Sequence, residues 1–127
     1  VADNLTNTAE NRALDWINGL TSTAPTTPLK VALVTANGDD ATAGTEVTGG
    51  GYARQTLTVA AAVSGATSNS ADLVFTNMPA CTVVGVEIWD SAGAPVRLWY
   101  GALSASRAVN AGDDFKLVAG ALSLSLS

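Results

Sequence analysis

A chain of 127 residues with 13% charged residues and a net charge of −5 has room for one core, and it gathers no Lys or Arg into the patch that phosphate-backbone binding needs. It has no histidine and a single cysteine, Cys81, which excludes Ser-His and Cys-His catalysis and any intrachain disulfide, and leaves a zinc site only carboxylates. No apolar run approaches the roughly 18 residues of a membrane span and no basic stretch leads into an apolar one, so the composition reads as a soluble, mature chain with no nucleic-acid or membrane partner.

Ala, Gly, Ser and Thr fill 60 of the 127 positions. The core is therefore expected to rest on a few Leu, Val and aromatic anchors. The first twenty residues follow a helical period: Leu5, Ala9, Ala13, Trp16, Ile17 and Leu20 fall on one apolar stripe about 120° wide. Asn7 and Glu10 have capping-box spacing, although the stripe places the start nearer Asn4. Gly19 suits the C-terminal cap, and the polar tract Thr21 to Thr27 with Pro25 and Pro28 ends the helix. One amphipathic helix over 4–18 is expected. The tract at 21–28 is long enough, at up to about 3.3 Å per residue, to carry that helix to a neighbouring chain. Residues 1–27 are accordingly read as a helix and linker arm, and 28–127 as a β-sandwich domain.

From Leu29 the period changes to two. Leu29, Val31 and Leu33, then Leu57 and Val59, then Val84, Val86 and Ile88, and finally Leu122, Leu124 and Leu126 alternate with small or polar residues. Turn clusters separate them at Asn37 to Asp40, Gly49 to Gly51, Ser64-Gly65, Asn77 to Pro79, Ser91 to Gly93 and Ala111 to Asp113. Seven or eight short strands with no helical crossover predict a mainly β chain, an antiparallel β-sandwich preceded by one N-terminal α-helix. The last strand carries no Pro, Lys or Glu to blunt an edge and is expected to be buried by pairing or by a neighbour.

The chemistry-bearing motifs are sparse. Asp39, Asp40 and Glu46 lack EF-hand spacing and read as a solvated hairpin loop. Gly49-Gly50-Gly51 lacks the lysine and following helix of a phosphate loop, so its glycines are read as turn formers, with Arg54 left to pair with Glu46 or a neighbouring subunit. Glu87 and Asp90 flank Trp89, but three residues apart on a strand they point to opposite faces and cannot flank one bond. Trp89, Trp99 and Tyr100 are read first as core fillers. Trp99 and Tyr100 must face opposite sides of their strand, which sends one of them out of the core. No catalytic, cofactor-binding or metal-binding residue is predicted.

Leu29 to Thr35, Ala43-Gly44-Thr45-Glu46-Val47 and Gly49-Gly50-Gly51-Tyr52-Ala53-Arg54-Gln55 resemble a family of tailed-bacteriophage virion proteins labelled tail-fibre, head-fibre or minor capsid protein. Gly85 to Asp90 and Ala111-Gly112-Asp113-Asp114-Phe115 through Leu126 are similar to its later blocks, and Asn4-Leu5 with Glu10-Asn11 to its short leading helix. The resemblance carries no catalytic residues. It implies a non-enzymatic structural protein of the virion. Without heptads or collagenous repeats for a shaft, capsid decoration is the reading taken first, with the major capsid protein as partner and a homo-oligomer, a trimer as first guess, at a lattice axis. Leu5, Arg12, Trp16, Ile17, Leu20, Arg54, Trp99 and Tyr100 are the expected assembly interface. The alternative is a tail-fibre or head-fibre module that stacks host-surface glycan on Trp99 or Tyr100. The rival from another class is a glycan-cleaving enzyme working through Glu87, Asp90 or Asp114.

Overall fold

The computed structural model describes residues 4–126, and these form antiparallel sheets with one helix near the N-terminus. The main sheet is built around three long strands: β2 (Leu29–Ala36), β7 (Cys81–Trp89) and β8 (Arg97–Val109). A two-residue β1 (Asn4–Leu5) pairs with the outer edge of β8. On the far side, β3 (Thr45–Glu46) and β4 (Gln55–Leu57) sit end to end along β2, giving the order β1, β8, β7, β2, then β3 with β4. Two ribbons complete the sandwich: β5 (Ala66–Ser68) with β10 (Ser123–Ser125), and β6 (Leu73–Phe75) with β9 (Phe115–Leu117).

The core lies between the main sheet and the ribbons. Val31, Leu33, Val86 and Ile88 come from the sheet, and Leu73, Phe75, Phe115, Leu117, Leu122 and Leu124 from the ribbons and their flanks. In a chain this rich in small residues the rings carry much of the packing. Phe75 meets Phe115 edge-on and Tyr52 in a stack, each at 6.1 Å between centroids, both within the usual range for aromatic pairs.

The helix α1 (Asn7–Ile17) is shorter than the apolar stripe suggests. Asn4 and Leu5 are spent on pairing with Tyr100 and Trp99. Thr6, not Asn7, is the N-cap: its hydroxyl accepts the Ala9 amide at 3.2 Å and itself donates to the Arg97 carbonyl at 2.9 Å. One buried side chain thus caps the helix and ties it to β8. The expected glycine stop is present as a Schellman motif, with Gly19 at φ +79°, its amide on the Trp16 carbonyl and the Leu20 amide on that of Asp15.

Three strand expectations need correction. Val59 is 46% exposed and makes only an isolated bridge with Asn69, because β4 ends at Leu57. In β7 the register slips between Val83 and Gly85, which places Val83 in the core and leaves Val84 half-buried. Leu126 is exposed while Leu122 and Leu124 are buried, and β10 is paired with β5. The second face of β7 is also covered. A Cβ on Gly85 would lie 2.0 Å from the Asn37 side-chain oxygen and 2.7 Å from the Gly101 carbonyl, so only glycine lets the 37–44 loop sit down on the sheet.

Candidate functional site

The segment that carries the family resemblance folds into an internal lock. The Glu46 carboxylate accepts the Tyr52 hydroxyl at 2.7 Å and two Arg54 guanidinium N–H bonds at 2.9 and 2.8 Å. Tyr52 in turn accepts the Leu33 amide at 3.0 Å, and Arg54 lies 4.5 Å from the Trp89 ring centroid. Gly49 and Gly50 have φ of +99° and +55°, and a Cβ on Gly50 would meet the Asn77 carbonyl at 2.8 Å. Glu46, Gly49, Gly50, Tyr52 and Arg54 therefore each have a folding role. Arg54, expected at an assembly interface, is committed to Glu46 and Trp89 of its own chain. Replacing Glu46 by Ala removes the acceptor of three bonds, one of them from a partly buried phenol, and is expected to cost about 1–3 kcal/mol, read as a lower denaturant midpoint at unchanged slope.

The three carboxylates considered for catalysis are also engaged, each at a different place. Glu87 is 1% exposed and lies under the 37–44 loop, where it accepts the Gly44 amide at 2.8 Å and the Arg97 guanidinium at 3.2 Å. Arg97 also donates to the Asp39 carbonyl and stacks 5.1 Å from the Tyr100 ring. Asp114 accepts the Asn77 amide. Asp90 accepts the amides of Val96, Ala92 and Thr26. The 37–44 loop is accordingly more than a solvated hairpin: its backbone covers a buried ion pair, while the Asp39 carboxylate folds it by accepting the amides of Ala41 and Thr42.

Burial pushes the Glu46 and Asp90 carboxyls up. Arg54 and Tyr52 outweigh it at Glu46, and the Val96, Ala92 and Thr26 amides with the Arg12 charge outweigh it at Asp90, so both sit below their ordinary values. A depressed carboxyl gives stability that is present above its unfolded value, about pH 4, and is lost as pH falls through its folded one. The thermal midpoint is expected to hold from neutrality to about pH 5 and to fall steadily below about pH 4, as followed by circular dichroism.

Two surfaces stand out among the described residues that the fold does not use. The first is α1 itself. Ala9 is buried, but Leu14, Trp16, Ile17 and Leu20 are 57%, 74%, 65% and 64% exposed. Beside them an apolar groove of about 350 Å³ runs between α1 and residues 22–25, with Leu98 and Trp99 also lining it. Arg12 joins this wall with one guanidinium nitrogen buried and unbonded among the described residues. The second is a more polar groove of about 450 Å³ lined by Asn4, Leu5, Glu10, Asp40, Tyr100, Ser125 and Leu126. Here the Tyr100 hydroxyl donates to Asp40, which with burial pushes the phenol up to about 12.

Of the residues expected at an interface, Trp16, Ile17 and Leu20 stand outward together, Arg12 lines the groove beside them, and Leu5 is half-buried against β8. Trp99 and Tyr100 do take opposite sides: Trp99, opposite Ile88, packs on the core, and Tyr100, opposite Glu87, reaches the polar groove. Both are half-buried. The sequence reading missed the Glu87 and Arg97 pair and the three-amide role of Asp90.

A family model described as podophage GP4 fiber I protein gp80 matches residues 4–125. No curated protein matches the chain.

Proposed function

The chain belongs to the podophage GP4 fiber I protein gp80 family and is a virion component, and on that premise we propose that it is a structural module of a phage fibre that attaches to a neighbouring virion chain through the outward face of α1. The family favours the fibre role, given above as the alternative, over capsid decoration. The observation that carries the attachment surface is the exposure of Leu14, Trp16 and Ile17 on α1 and of Leu20 just past its end, each more than half exposed, on a helix whose one buried side chain is Ala9. Each such side chain gains roughly 1.5–3 kcal/mol when buried, which makes coverage by a partner the favourable state. The work done is binding. No chemical conversion is assigned, because Glu87, Asp90 and Asp114 are each held by backbone amides at separate sites. Self-association of copies, a trimer as first guess, is part of the same proposal and rests on the symmetry of phage assemblies.

Replacing Trp16 and Ile17 together by Ser tests it, since neither is needed by the core. The variant is expected to keep the wild-type denaturant midpoint within about 0.5 kcal/mol and to lose about 2 kcal/mol or more of attachment, roughly thirtyfold in occupancy of particles at limiting concentration. Full occupancy by the folded variant would rule out α1 as the attachment surface.

The polar groove favours a second reading, host-glycan binding. Asn4, Glu10, Asp40 and the Tyr100 hydroxyl offer the hydrogen-bonding groups that sugar hydroxyls require, and Leu5 and Leu126 offer apolar walls. Glycan-array binding that Tyr100→Ala abolishes would support it, and an array with no binding would leave attachment as the whole function.

A further inference from the structure

We infer that Asp90 is the positioning residue of the attachment surface: it latches residues 21–28, the segment that forms the groove wall opposite α1. This rests on the attachment reading above. Seven of the eight residues from 21 to 28 are exposed, and Ser22 is half-buried. Packing therefore does not hold the segment in place, and hydrogen bonds do. Ser22 donates to the Arg12 carbonyl at 2.7 Å, tying the segment to α1. Thr26 donates its amide to Asp90 Oδ2 at 3.3 Å, the Ser91 amide donates to the Thr26 carbonyl at 2.9 Å, and the Ser91 hydroxyl donates to the Pro28 carbonyl.

Asp90 is the junction of this strap. It is 3% exposed, and its Oδ1 accepts the amides of Val96 at 2.8 Å and Ala92 at 3.2 Å, which fixes the turn between β7 and β8. The same carboxylate then presents its second oxygen to the strap. Arg12 of α1 supplies the cation that acts on it. Residues 21–28 and 91–96 carry no ionisable side chain. One buried anion thus ties the turn to the strap, with the charge of Arg12 on α1 favouring its ionised form. A charged acceptor makes such bonds roughly twice as strong as neutral ones, so the groove wall depends on the charge of Asp90.

Asp90→Asn separates latching from folding. Its carbonyl still serves the Val96 and Ala92 amides, while its NH₂ group faces the Thr26 amide, two donors without an acceptor. In the full chain, amide exchange at 21–28 is expected to rise about tenfold with exchange in β2 and β7 unchanged, as for a local opening. In the wild type the same loosening is expected only as pH falls through the Asp90 titration, and in Asp90→Asn it is present at neutral pH and does not titrate. Thr26→Pro, which deletes the donated N–H and leaves Asp90 untouched, is expected to reproduce it. Unchanged exchange at 21–28 in both variants, or a rise shared equally by β2 and β7, would overturn the latch. A loosened strap with undiminished particle occupancy would overturn the positioning role of Asp90 and leave α1 attachment, which the Trp16 and Ile17 variant tests, standing, so the two proposals fail separately.

Discussion

Arg97→Ala is expected to destabilise the protein by about 3–5 kcal/mol, because it strands the Glu87 carboxylate beneath the 37–44 loop without its cation. Glu87 is 1% exposed and Arg97 8%, so neither charge recovers hydration while the loop stays down. The loss extends beyond the ion pair. Arg97 also holds the Asp39 carbonyl and packs on Tyr100. Small domains have roughly 5–15 kcal/mol in all, so a substantial unfolded fraction in mild urea is the expected observation. Adding Glu87→Leu to Arg97→Met is expected to recover part of the loss, since two apolar residues no longer bury a lone charge. The remainder belongs to the Gly44 amide, which then has no acceptor.

Phe75→Ala is expected to cost a comparable 3–5 kcal/mol by leaving a cavity between the sheet and the ribbons. Phe75 is fully buried and touches the rings of both Tyr52 and Phe115. The effect also reaches the motif, because Tyr52 links the Phe75 stack to Glu46 and to the β2 amide of Leu33. Phe75→Leu, which keeps most of the volume, is expected to lose clearly less. A double cycle of Phe75→Ala with Glu46→Ala is expected to be non-additive, as for residues sharing a partner.

How far the sequence showed these features depends on their range. Leu29, Val31 and Leu33 alternate and are a strand, and Gly19 is a helix stop, because the causes lie within a few residues. The Glu46 to Gln55 segment was legible as a family marker and its Arg54 to Glu46 pairing as one of two options. The Glu87 and Arg97 pair was not legible: its burial is imposed by a loop some forty residues earlier, and alternation alone would have put Glu87 in water. Thr6 was passed over for Asn7 because the apolar stripe counts side chains and not the backbone bonds that Asn4 and Leu5 make to β8. Asp90 was legible only as the residue before the Ser91 to Gly93 turn, and the third amide it accepts comes from Thr26, 64 positions away. The outward face of α1 was visible as a stripe, and the structure adds that Ala9 turns inward while Trp16, Ile17 and Leu20 do not.

Electron cryomicroscopy of intact particles with and without this chain tests its role most directly. A fibre module attached through α1 predicts difference density on a fibre, with the sandwich oriented so that Trp16, Ile17 and Leu20 meet the neighbouring chain. Difference density spread over the capsid lattice, or on a fibre with α1 facing solvent, would contradict it.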